Sequence, residues 1–191
     1  MATGTPLNNE EIEAFVVTSQ QGDSDAFAKI YDLFVDRIYR YVYYRVGATD
    51  AEDLTELIFL KTLENIRQYR PGTNTFSSWL FRIAHNVVID HYRAHDQSDE
   101  LSENVKDERP AAQIQQRADN AITHEVLTEA MKQLKDDYRQ IIILKYLNEF
   151  SNDEICEIMG RSHAALRILQ FRALKTLRRI LEDMGITEFD V

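Results

Sequence analysis

Between Arg161 and Leu181 lie six cations, Arg161, Arg167, Arg172, Lys175, Arg178 and Arg179, and no anion. The chain as a whole is acidic, with 22 Lys and Arg against 32 Asp and Glu and a net charge of −10. Cations gathered on one helix bind phosphate, and Arg or Gln on the same face can read base edges. The spacing around the strip sharpens that reading. Two helical stretches flank a short turn at Gly160-Arg161-Ser162, as in a helix-turn-helix. Cys156 supplies the small residue where the helices cross, Gly160 tolerates the tight backbone, and Leu166 and Leu169 anchor the second helix inward. Ser162 can cap that helix. Arg167, Gln170, Phe171, Lys175 and Arg178 then share its outward face. A solvated helix ending a bundle is the other reading of a basic face. It does not explain six cations without an anion together with the turn chemistry.

Other residue groupings carry less. His91 and His95 are four apart on a helix, beside Asp90 and Asp96, a spacing able to bind zinc. No third ligand forms a motif with them, so no metal site is assigned. No Gly-rich phosphate loop, nucleophile elbow or pair of catalytic carboxylates is present, so an enzyme is not expected and no cofactor is called for. The run "IYRYVYYR" interleaves aromatics with Arg37, Arg40 and Arg45, as single-strand binders do. Most of its tyrosines are assigned to the core. Cys156 has no second Cys for a disulfide or metal pair and is read as a packing residue.

The elements that position these residues are helical. Six Gly and three Pro leave little turn chemistry for an all-β fold, and strand-like alternation is absent. "DAFAKIYDLFVDRIYRYVYYRVG" places Phe27, Ile30, Tyr31, Phe34, Ile38, Tyr41 and Val42 on one face, and Gly47 closes it. "TDAEDLTELIFLKTLENIRQY" follows, with Thr49 as N-cap and acids in the first turn. "RPGTNT" is a loop. "FSSWLFRIAHNVVIDHYRAH" is a third helix, with Trp79 and Ile83 in the core. "DQSDELSENVKDERPAAQ", Asp96 to Gln113, is poor in large apolar residues and reads as a flexible linker. Four more helices follow, the third opening on a Ser151/Glu154 capping box.

A length of 191 residues allows one large domain or two small ones. Residues 1–36 carry a net charge of −6, residues 37–94 +2, residues 95–125 −5, residues 126–160 −3, residues 161–181 +6 and the last ten −4. No apolar run nears the roughly 20 residues of a membrane span. The N-terminus lacks the basic start and apolar stretch of a signal peptide. A cytoplasmic protein without membrane insertion is expected.

"AEDLTELIFLKTLENI" followed by "FSSWLFRIAHNVVIDHYR" resembles region 2 of the bacterial sigma-70 family. "LKDDYRQIIILKYLNEFSNDEICEIMG" followed by "RSHAALRILQFRALKTLRR" resembles region 4. Both blocks occur in order over roughly residues 22–181, with no room for region 3, the layout of the extracytoplasmic-function (group 4) sigma factors. The resemblance implies an all-α chain of two small helical domains joined by a flexible linker. Residues 1–21 would be an acidic segment, 22–95 region 2, 96–118 the linker, 119–182 region 4 and 183–191 an acidic tail. It implies a transcription initiation factor that binds core RNA polymerase through the β′ clamp and β flap, recognises the −35 and −10 promoter elements and assists opening. An anti-sigma factor is a further partner of many members.

Residue by residue, Asp50, Glu52, Asp53, Leu54, Glu56 and Phe59 resemble the polymerase-docking surface. Tyr69, Arg70, Asn74, Phe76, Arg82 and Asn86 resemble the −10 contacts, with the 69–76 loop and Asn86 forming a pocket for a flipped base. Arg161, Ser162, His163, Arg167, Ile168, Phe171, Arg172 and Lys175 match the −35 contact positions. Departures are "TELIF" for a commoner TQEVF, His85 where Arg is frequent, His163-Ala164 for a Gly-Thr type turn, and Ile168-Leu169 for Ser-Arg. The His85 change would weaken one backbone contact at neutral pH. A stand-alone helix-turn-helix regulator, binding duplex DNA unaided, is the alternative.

Overall fold

The structure is a computed structural model that describes residues 9–72, 74–99 and 126–186. Among them the chain forms eight α-helices and no strand. The first half comprises α1 (Asn9–Gln20), α2 (Ser24–Val46), α3 (Ala48–Asn65) with a short 3₁₀ turn Ile66–Gln68, and α4 (Phe76–Asp99). The second comprises α5 (126–132), α6 (Asp136–Ile142) running into a π-helical turn Ile143–Leu147, α7 (Asn152–Met159) and α8 (His163–Asp183).

Helix α2 is the axis of the first half. Its apolar face, Ile30, Phe34, Ile38, Tyr41 and Val42, is buried and packs against α1, α3 and α4. Asp23 caps it by accepting from the backbone N–H groups of Asp25 and Ala26. The chain then turns at Gly47, whose φ of 91° favours glycine. Gly47 is the N-cap of α3, and Thr49 lies inside that helix without capping it.

Within the expected acidic N-terminal segment, residues 9–20 form α1. Ile12 and Val16 are buried in the common core. Gln20 Nε2 donates to the carbonyls of Ile66 (2.8 Å) and Tyr69 (3.0 Å), tying the end of α1 to the turn after α3. Of the expected linker, residues 96–99 continue α4, and the remainder lies outside the described residues.

Helices α7 and α8 form the expected helix-turn-helix. Ser151 and Glu154 make a complete capping box. Gly160 adopts the left-handed conformation with φ 62° and ψ 36°, which ends α7 in the usual C-cap manner. Ser162 caps α8 by accepting from Ala165 N–H. Leu166, Ala173 and Ile180 bury one side of α8.

The two halves pack on one another through a shared core. The ring of Phe81 on α4 meets Phe150, before α7, at 4.8 Å in an edge-to-face contact. Arg37 on α2 lies against the rings of Phe34, Phe81 and Phe150 and donates to the Asn148 carbonyl at 3.1 Å. Arg139 on α6 bonds the carbonyls of Met131 (2.7 Å), Lys132 (3.0 Å) and Leu134 (2.9 Å) after α5, and of Arg45 (2.8 Å) near the end of α2. One guanidinium thus satisfies orphan carbonyls at two helix C-termini, where the helix dipole favours a cation.

Candidate nucleic-acid interface

The basic side chains of the turn and of α8 divide by partner. Arg161 pairs with Asp137 at 2.5 Å, His163 lies 3.2 Å from Asp153, and Arg178 pairs with Glu182 at 2.9 Å. Arg167, Arg172 and Lys175 are exposed and have no ion-pair partner among the described residues. At about 100° per residue, Arg167, Phe171, Lys175, Ile168 and Arg172 span an arc of roughly 140°. Leu166, Ala173 and Ile180 occupy the opposite side. Phe171 is 69% exposed and Ile168 55%, so the cations alternate with bare apolar side chains. Such a face can set guanidinium and ammonium groups on phosphates while apolar groups meet thymine methyls. Ser162 is committed to its cap, leaving its hydroxyl at the start of the helix.

On α4, Arg82 and Asn86 are exposed and share one face at i, i+4. The preceding loop differs from expectation. Phe76 is 1% exposed and packs edge-on against Phe34, so it is a core residue and offers no surface to a base. Tyr69 is also buried, and its hydroxyl donates to Glu13 and to the Asn74 carbonyl. Burial first, then Glu13, raises the proton affinity of the Tyr69 phenol. Asn74 is half-buried, and the exposed Arg70 bonds the carbonyls of Arg67 (2.6 Å) and Tyr69 (3.0 Å).

The second half covers that loop. Thr75 Oγ1 donates to Glu154 at 2.7 Å, and Ser78 Oγ donates to Glu157 at 3.2 Å, both on α7. A cleft of about 780 Å³ between them is lined by Glu13, Asn74, Asp153, Glu154, Glu157 and Arg161. Four carboxylates there disfavour a phosphate backbone.

On α3, Leu54 and Phe59 are buried at 8% and 4% exposure. Phe59 packs on Tyr31 with ring centroids 4.6 Å apart. Both side chains therefore pack in the core, while the expected docking surface is left to their exposed neighbours on α3. Glu52, Asp53 and Glu56 are exposed, Asp50 is half-buried, and beside them Leu57, Leu60 and Leu63 lie open to solvent. These three leucines escaped the sequence reading. Their signal was a second apolar set on a helix already buried through Ala51, Leu54 and Ile58.

His85 also departs from expectation. It is half-buried against the second half, and its Nδ1 accepts from Gln140 Nε2 at 2.7 Å. Burial, then the neighbouring Arg45 charge, lowers its pKa from 6.5 to about 4, so it is neutral at pH 7. Arg45 itself is buried and bonds Asp136 through Nη2 at 2.5 Å and Nε at 3.1 Å. Burial opposes its charge, but Tyr41 and Asp136 outweigh that and hold the guanidinium protonated.

The sigma-70 region 2 profile matches residues 30–98, and the sigma-70 region 4 profile matches residues 124–177. The chain is 34% identical over 175 residues to BldN, an ECF RNA polymerase sigma factor of Streptomyces coelicolor (strain ATCC BAA-471 / A3(2) / M145). That match takes in 88% of this chain and spans 65% of the relative's length. It is 30% identical over 176 residues to SigW, an ECF RNA polymerase sigma factor of Bacillus subtilis (strain 168), covering 86% of this chain and 94% of SigW. Among solved structures, CnrH in complex with the cytosolic domain of CnrY shares the fold, with a TM-score of 0.68 at 19% identity over 89% of this chain and 96% of that one.

Proposed function

We propose a division of labour for this chain, which belongs to the extracytoplasmic-function group of the sigma-70 family and is thereby an RNA polymerase sigma factor and not an enzyme. The face of α3 built from Glu52, Asp53, Glu56, Leu57, Leu60 and Leu63 docks on core polymerase at the β′ clamp, with Asp50 at its edge. Carboxylates around bare leucines suit a basic, partly apolar protein surface better than a nucleic acid. The second half meets the β flap.

Helix α8 reads the −35 element. Arg167 and the first turn reach base edges, Phe171 and Ile168 pack on thymine methyls, and Arg172 and Lys175 hold phosphates. Arg161 and His163 join them when their present carboxylate partners are released. Arg82 and Asn86 on α4, with Arg70 and Asn74 of the loop, engage the −10 element, and Asn86 holds a base that has left the stack. Tyr69 and Phe76 shape that site from within.

Both elements cannot be read in the closed arrangement, because α7 covers the loop. Docking on polymerase separates the halves and fixes them at promoter spacing, so the second DNA contact becomes effectively intramolecular. Core polymerase works in the cytoplasm, and no described helix is long and apolar enough to cross a membrane. We assign the chain to that compartment.

The observation that carries this reading is the α8 face, cationic and apolar by turns, opposite a buried helix side. Footprinting with and without core polymerase tests it. Protection of −35 and −10 elements only with core is expected. Tight, sequence-specific protection by the chain alone, on a palindrome, would instead establish a stand-alone regulator.

A further inference from the structure

Helix α4 presents His91 and His95 at i, i+4, and the fold brings Asp50 from the first turn of α3 to the same spot. One ligand atom from each of the three lies within 4.8 Å of the others. His91 Nε2 is 3.7 Å from Asp50 Oδ2, and the two imidazole rings sit 4.2 Å apart. We propose that Asp50, His91 and His95 form a binding site for a divalent transition-metal ion of the zinc class.

The distances fit with small adjustment. Zinc–nitrogen bonds of about 2.0–2.1 Å and zinc–oxygen bonds of about 2.0–2.2 Å place neighbouring ligands of a tetrahedron roughly 3.4 Å apart. The His91–Asp50 separation is already close to that. Small shifts of the three side chains bring their ligand atoms, already within 4.8 Å of one another, to that spacing. His91, at 15% side-chain exposure, is held by its surroundings and fixes the centre of the site.

The outer contacts favour ligation as well. His95 Nδ1 lies 3.2 Å from the His91 carbonyl. With Nδ1–H donating there, Nε2 keeps its lone pair for an ion, the arrangement by which outer-shell bonds set the tautomer of ligating histidines. Two imidazoles and one carboxylate select Zn²⁺, Co²⁺, Ni²⁺ or Cu²⁺ over Mg²⁺ and Ca²⁺, which prefer all-oxygen sites. Water completes the coordination of an ion held by three protein ligands. Two imidazoles four residues apart supply a helix-borne pair, and the third ligand from a separate helix makes the site depend on the folded chain.

Spectroscopy with Co²⁺ and equilibrium dialysis with Zn²⁺, on the full-length chain stripped with a chelator, test the site. One ion per folded chain is expected, with visible Co²⁺ absorption of a low-coordinate nitrogen–oxygen site. His95→Ala should weaken binding by more than the about 10–100-fold typical of losing an outer-shell partner. Asp50→Asn should weaken it as well, and Cys156→Ser should not. His95 is exposed, so its loss leaves the fold intact and circular dichroism unchanged. Absence of saturable binding of either ion, or stoichiometric binding that survives both His95→Ala and Asp50→Asn, would overturn the proposal.

Discussion

Replacing Asp136 by Ala should loosen the two halves from one another. The Arg45 side chain is fully buried and that of Asp136 is 33% exposed, and they share two charge-assisted bonds. Removing one partner of a buried pair costs about 3–5 kcal/mol, because the other charge is left uncompensated. Access of water to Asp136 screens the pair, which reduces the expected loss to roughly 2–3 kcal/mol. Arg45 would keep its 2.7 Å bond to the Tyr41 hydroxyl but no counter-charge. The cheapest relief is for α6 to move away and let water reach the guanidinium. Urea unfolding should therefore report the destabilisation, and energy transfer between a dye on α1 and one on α8 should report a longer mean distance. Replacing Arg45 by Met together with Asp136→Ala should recover much of the loss, since an apolar pair leaves no stranded charge. A stability change below about 0.5 kcal/mol with unaltered energy transfer would place Asp136 among ordinary surface residues and refute the reasoning.

The same contact predicts a pH dependence. His85 has a folded pKa of about 4 against 6.5 for the ordinary side chain, so the unfolded chain binds more protons and stability falls as pH drops through that window. The gap bounds the effect near ~3.4 kcal/mol, and the part exposure of the ring screens it to roughly 1–2 kcal/mol. His85→Gln should flatten the difference curve between pH 6.5 and 4, and parallel curves for the two proteins would count against a buried neutral imidazole. Arg167→Ala should change −35 base preference, whereas Lys175→Ala should weaken all promoters alike and reduce the salt slope by about one, as measured by holoenzyme binding across promoter variants. Identical effects of the two would contradict the division between base and phosphate contacts. Asp53→Arg with Glu56→Arg should weaken capture by core polymerase without loss of helicity, and undiminished capture would move the docking surface elsewhere. Asn86→Ala should lower permanganate reactivity around the −10 element while closed binding persists, and normal opening would remove Asn86 from the base pocket.

Much of the architecture was legible because it rests on local signals. The 3.6 period of α2, the capping box of α7 and the Gly160–Ser162 turn are each readable within a few residues of sequence. α1 was hidden by its acids, although Ile12, Phe15 and Val16 carry the helical spacing. What the motif positions did not reveal is which large side chains are buried. Phe59 and Phe76 have the residue type of a contact but are needed to fill the core, and a position in a motif does not tell which face is buried. The contacts between halves were beyond reach of local patterns. Arg45 and Asp136 are separated by 91 residues, and each alone resembles a solvated charge. The Asp50–His91–His95 cluster is of the same kind, with its third ligand supplied by another helix.

Transcription by purified core polymerase on a genomic fragment library, with start sites read with and without this chain, tests the central claim most directly. The account predicts a defined set of new starts that share −35 and −10 elements at constant spacing, and their loss when Arg167 and Asn86 are both replaced by Ala. Starts that are unchanged by addition of the chain would contradict it.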